Sequence, residues 1–142
     1  MPSLNVNISA ENSHQTIAVQ FGRWIKEKRL EKQTKNPSYS LRQVAKRIEV
    51  EPSYLSKVER GLEKPPSEKK LKQLAKDLNL DSDVVLARAG KVDSEIVEII
   101  RIRPKLFSKF LRRLKLVPDE VIEDAIMNAE RKARLSNRSE DY

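Results

Sequence analysis

Between Ser40 and Gly61 the apolar residues Leu41, Val44, Ala45, Ile48, Val50, Leu55 and Val58 follow a spacing that suits two short helices packed against each other across a sharp turn. Ser40 is a good N-cap, with Gln43 three residues later completing a capping box. Pro52 suits the first position of the second helix, and Gly61 stops it. Where two helices meet at a steep angle, the contact positions must be small or apolar. Ala45 is the tightest of them, because a larger side chain there would push the helices apart.

The flanking sequence is helical by the same criteria, so the expected fold class is all-α. Phe21, Trp24, Ile25 and Leu30 sit close to helical spacing between Ala18 and Gln33, with Arg23, Lys26, Lys28, Arg29 and Lys32 on the remaining faces. Trp24 is read as core packing and not as a stacking platform for a base. Asn36 and Pro37 mark a loop before Ser40, and Pro65 and Pro66 stiffen another after Leu62. Ser67 caps a helix carrying Leu71, Leu74, Ala75 and Leu78. Asp81 caps a further one carrying Val84, Val85, Leu86 and Ala89, which Gly90 ends. Beyond Gly90, Asp93, Pro104 and Pro118 open three more helices. The domains expected are a polar arm over residues 1–17, a five-helix domain over 18–90, a helical extension over 91–135 and a disordered tail over 136–142.

The string YSLRQVAKRIEVEPSYLSKVERG, followed by LKQLAKDLNL and including the ending Glu59, Arg60 and Gly61, resembles the Xre-type family of phage repressor and Cro-like regulators. The resemblance covers about residues 19 to 90. It implies a lambda-repressor-like five-helix domain with a helix-turn-helix scaffolded by Val44, Ala45, Ile48, Val50, Leu55, Val58 and Gly61. The third helix of such a domain enters the DNA major groove, usually as a dimer on a pseudo-palindromic operator. Carried over by position, Ser53, Tyr54, Ser56 and Lys57 are expected to face base edges. Ser40, Leu41 and Arg42 at the start of the second helix, and Lys64, Ser67, Lys69 and Lys70 beyond the third, are expected to hold phosphates, about five per subunit. Two departures stand out: Glu49 occupies a turn position that favours glycine, and Glu51 stands where serine or threonine caps better.

Charge agrees with an anionic partner, since 29 Lys and Arg against 21 Asp and Glu leave +8. The excess is uneven: residues 19–80 carry +8, residues 91–117 +5 and residues 118–142 −3. With no cysteine, His14 alone in the arm and no glycine-rich phosphate loop, no catalytic or metal site is expected, and no cofactor. No run is apolar enough to span a bilayer, so the expected location is the cytoplasm, at the nucleoid. In the extension, Phe107, Phe110, Leu114, Ile122 and Ile126 are candidates for homodimerisation. The expected function is a double-stranded DNA-binding transcriptional repressor. The alternatives are an antitoxin that represses its own operon while the extension engages a toxin, and a partner-binding protein that never meets DNA.

Overall fold

The computed structural model describes residues 16–139, and all regular structure in them is helical. The helices are α1 (Ile17–Gln33), α2 (Leu41–Arg47), α3 (Pro52–Glu59), α4 (Glu68–Asp77), α5 (Ser82–Arg88), α6 (Ser94–Ile102), α7 (Pro104–Leu114) and α8 (Asp119–Ser139). A 3₁₀ turn at Pro37–Tyr39 interrupts the loop between α1 and α2. His14 and the rest of the arm up to residue 15, and residues 140–142, lie outside the described residues. Among the described residues no helix is long and apolar enough to cross a membrane.

The chain divides into two compact units, the first ending at Ser94. Its core is formed by Phe21 and Ile25 of α1, Val44 and Ala45 of α2 with Ile48 just beyond, Leu55 and Val58 of α3, Leu71, Leu74 and Ala75 of α4 with Leu78, and Val85 and Leu86 of α5 with Ala89. Side-chain caps start α1, α2, α4 and α5. The hydroxyls of Thr16, Ser40 and Ser67 accept from the amides of Val19, Gln43 and Lys70, and the Asp81 carboxylate accepts from those of Asp83 and Val84. Only half of the capping box at Ser40 forms, because the Ser40 amide is already donated to the Pro37 carbonyl in the 3₁₀ turn.

The helices α2 to α5 all end in one way. The residue after the C-cap turns left-handed (Glu49, Gly61, Asn79 and Gly90), and the two amides that follow bond back into the last turn. In α2 these are Glu49 N–H to Lys46 O at 3.2 Å and Val50 N–H to Ala45 O at 2.9 Å, the Schellman arrangement.

Several side chains differ from the sequence expectation. In α1 the inward residue is Arg29, only 5% exposed, whereas Leu30 is 41% exposed. Val84 faces outward on α5, where Val85 and Leu86 already fill the core. Trp24, by contrast, packs against the core as expected, half-buried, tilted against Phe21 and covered by the Arg88 guanidinium. The last helix does not stop at Leu135 but runs to Ser139, since the polar residues from Ser136 on include no helix breaker. Of the tail expected to be disordered, residues 136–139 are therefore helical.

The second unit, from Glu95 onward, contains α7, α8 and most of α6. None of its described residues is buried. Ile96, Val97, Ile99, Ile102, Leu106, Phe110, Leu111, Val121 and Ile126 are all exposed, and Phe107, Leu114 and Ile122 are half-buried at most. Residues of α7 also divide by chemistry: Leu106, Phe107, Phe110, Leu111 and Leu114 share one face, and Lys105, Lys109, Arg112 and Arg113 the other.

Candidate nucleic-acid interface

Two short helices and a four-residue turn hold the exposed face of α3. Leu55 and Val58 point into the core together with Glu59, which leaves Ser53, Lys57 and Arg60 on the solvent side. Tyr54 and Ser56 lie at the margins, half-buried, and Tyr54 also packs against the core. Its phenol is raised above its ordinary pKa, first by burial and then by the nearby Glu63 carboxylate. The hydroxyl therefore remains a donor under neutral conditions. Of the four residues expected to face bases, Ser53 and Lys57 are open to solvent and Tyr54 and Ser56 are half-covered.

The turn between α2 and α3 places Glu49 at φ +59°, a conformation that costs a non-glycine residue about 1 kcal/mol. A lysine from α4 supports it. Lys70 Nζ donates to the carbonyls of Ile48 at 2.8 Å and Glu49 at 3.2 Å, neutralising the C-terminal end of α2. The spacing of basic residues marks Lys70 as one more phosphate ligand, whereas the folded chain commits its ammonium to the turn itself. Arg42, Lys64, Lys69 and Ser67 are exposed, Ser40 and Leu41 half-exposed.

Sequence reasoning did not identify three connections, of which the first two hold α3 and the third ties α2 to α4. Arg29 of α1 makes a bidentate pair with Glu59, with Nη2 to Oε2 at 3.0 Å, and its Nη1 reaches Gln33 and the Tyr39 carbonyl. Gly22 of α1 lies against the end of α3, and a Cβ on it would meet the Val58 carbonyl oxygen at 2.2 Å. Arg47 of α2 pairs with Asp77 of α4, donates to the Ser38 carbonyl and stacks over Tyr39; the Asp77 hydrogen bond raises its pKa. The available signal for the first was the charge of Glu59 inside an otherwise apolar stripe, and for the second a glycine in mid-helix.

The loop after α3 is fastened as well. Lys91 Nζ donates to the Pro66 carbonyl, and Glu68 accepts from both the amide and the hydroxyl of Ser94. Lys72 bridges Glu68 and Asp93. The Ser94 amide is the first cause of a lowered Glu68 pKa, and Asp93 of a raised Lys72 pKa.

Known proteins resemble this region of the chain. A family model described as helix-turn-helix matches residues 25–85. An uncharacterized HTH-type transcriptional regulator of Mycobacterium tuberculosis, found in two strains, is 42% identical over 62 residues, which is 44% of this chain and 44% of the relative. The match thus spans less than half the length of these curated relatives. Among solved structures, the clp gene regulator ClgR of Corynebacterium glutamicum aligns over 71% of this chain and 93% of its own at 23% identity and a TM-score of 0.45. A chain of the SinR protein/SinI protein complex aligns over 67% and 94% at 31% identity and a TM-score of 0.40. The helix-turn-helix match thus falls on α2 and α3 and the helices around them, whose small and apolar contact positions are filled as such a motif requires.

Proposed function

We propose that the chain is a sequence-specific double-stranded DNA-binding transcriptional regulator, a repressor that acts as a homodimer on a pseudo-palindromic operator in the cytoplasm. The observation that carries this reading is the exposed face of α3: Ser53 and Lys57 stand free of the core while the residues between them anchor the helix. A lysine there donates to guanine O6 or N7, and the serine bonds either base type, with Tyr54 and Ser56 reading from the margin. The start of α2 (Ser40, Leu41 and Arg42) and the α3–α4 segment (Lys64, Ser67 and Lys69) flank that face and supply phosphate contacts that set its register. Lys70 acts indirectly by holding the turn. Repression needs no more than occupancy of the operator.

The test is a titration of an operator duplex selected from genomic fragments bound by the full chain. Converting Ser53 and Lys57 together to Ala is expected to weaken specific binding about a hundredfold, each lost base contact being worth roughly 1–3 kcal/mol. Helical content and thermal midpoint should stay unchanged, as both side chains are exposed. Unaltered retention on DNA would instead favour a protein-binding module.

Dimerisation is assigned to the extension, with a second copy of the chain as the occupant of its apolar face. Charge supports that choice. All four charged residues of α7 are basic, while from Asp119 to Glu130 α8 carries five acidic residues and no basic one. Pairing α7 of one copy with α8 of the other buries Phe107, Phe110, Leu114, Ile122 and Ile126 and brings opposite charges together at the rim. Sedimentation at micromolar concentration is expected to give a dimer for the full chain and a monomer for Phe110→Glu; a monomeric parent chain would refute the assignment.

A further inference from the structure

Glu51 lies at the leading end of α3, and its side chain is an anion on a surface that must approach a polyanion. It is the N-cap residue yet makes no side-chain cap bond, and its backbone is extended as the following Pro52 requires. It is exposed, and among the described residues its carboxylate has no hydrogen-bond or ion-pair partner. The nearest exposed position of the same helix is Ser53, one of the residues assigned to base edges. A carboxylate so placed reduces attraction to phosphates whatever the sequence. It gives a favourable term only where DNA offers it a hydrogen-bond donor.

The major groove contains two such donors, the amino groups of cytosine and adenine. Guanine O6 and N7 and thymine O4 are acceptors and repel an acceptor-only group. Adenine also places N7 beside its amino group, so a carboxylate aimed at adenine meets a lone pair. Cytosine alone carries its donor with no acceptor on the same base's major-groove edge. We infer that Glu51 is a specificity-determining residue that selects cytosine at one position of each operator half-site, by accepting from its N4 amino group. This inference rests on the reading of α3 as the helix that enters the groove.

The experiment compares the full chain with Glu51→Gln on a pool of duplexes randomised across the operator. Each protein is then titrated against the four single-base variants of the enriched duplex. The parent chain is expected to enrich cytosine at one symmetry-related position and to bind the other three bases there about tenfold more weakly. Glutamine keeps the size but both donates and accepts, and it pairs in bidentate fashion with adenine N6 and N7. The variant should therefore lose the cytosine preference and shift toward adenine, leaving the other positions of the motif as they were.

Two results would overturn the inference while sparing the DNA-binding reading. One is uniformly tighter binding of Glu51→Gln to all four duplexes with the same motif, which would make the carboxylate a general repulsive charge. The other is an unchanged motif with a lowered thermal midpoint, which would make it only a favourable charge at a helix N-terminus. A parent chain that enriches no motif at all would overturn both readings together.

Discussion

Replacing Arg29 by Met is expected to lower the unfolding free energy by about 3–5 kcal/mol, because it strands the Glu59 carboxylate in an apolar interior. Arg29 and Glu59 are 5% and 6% exposed, and water has little access to either charge once its partner is gone. For a domain of this size the loss corresponds to a fall in thermal midpoint of roughly 15 °C or more. The double variant Arg29→Met, Glu59→Leu should regain most of the stability, since an apolar pair of similar volume avoids desolvating two ions. Urea unfolding of the four proteins in the cycle measures both the single losses and their coupling. A single variant as stable as the parent would show the pair to be dispensable. Glu59 is the last residue of α3, so the single variants should also release DNA at temperatures where the double variant still holds it.

The second large effect is expected from salt. If, as proposed, Arg42, Lys64, Lys69 and the helix starts at Ser40 and Ser67 hold about four phosphates per subunit, a dimer holds about eight. The logarithm of the association constant should then fall with the logarithm of salt at a slope of about −7. Between roughly 50 and 200 mM salt, affinity should drop by about 10⁴-fold. Fluorescence anisotropy on one duplex across that range measures the slope, and a value shallower than about −3 would remove most of the assigned contacts. The variant Lys69→Ala should reduce the steepness by about two units per dimer, one for each lost phosphate contact. Lys70→Ala should instead act through the turn, leaving the slope nearly intact while weakening binding and stability together.

Much of the first unit was legible in the sequence because local chemistry decides it. Ser40, Ser67 and Asp81 cap the helices they were expected to cap, and Gly61 and Gly90 end theirs. The apolar contact positions Val44, Ala45, Ile48, Leu55 and Val58 are all in the core. The errors fall where a distant residue decides. Arg29 reads as surface unless Glu59, thirty residues away, is known to face it. Gly22, on which the sequence reading was silent, gains its meaning only when the backbone of α3 is laid against it. Lys70 is indistinguishable in sequence from Lys69, its neighbour on α4, although the folded chain directs its ammonium to the carbonyls of a turn. For the same reason, the exposed face of α3 follows from spacing, but the base read by each side chain depends on distances to a duplex.

The ties from Lys91 to Pro66 and from Ser94 to Glu68 carry a consequence for where the first unit truly finishes. Gly90 ends the last apolar stripe and invites truncation there, yet Lys91, Asp93 and Ser94 beyond it pair with Pro66 in the α3–α4 loop and with Lys72 and Glu68 of α4. The border of the first compact unit is accordingly at Ser94. A chain cut at Gly90 would keep its entire hydrophobic interior and still lose the strap across the loop that carries Lys64.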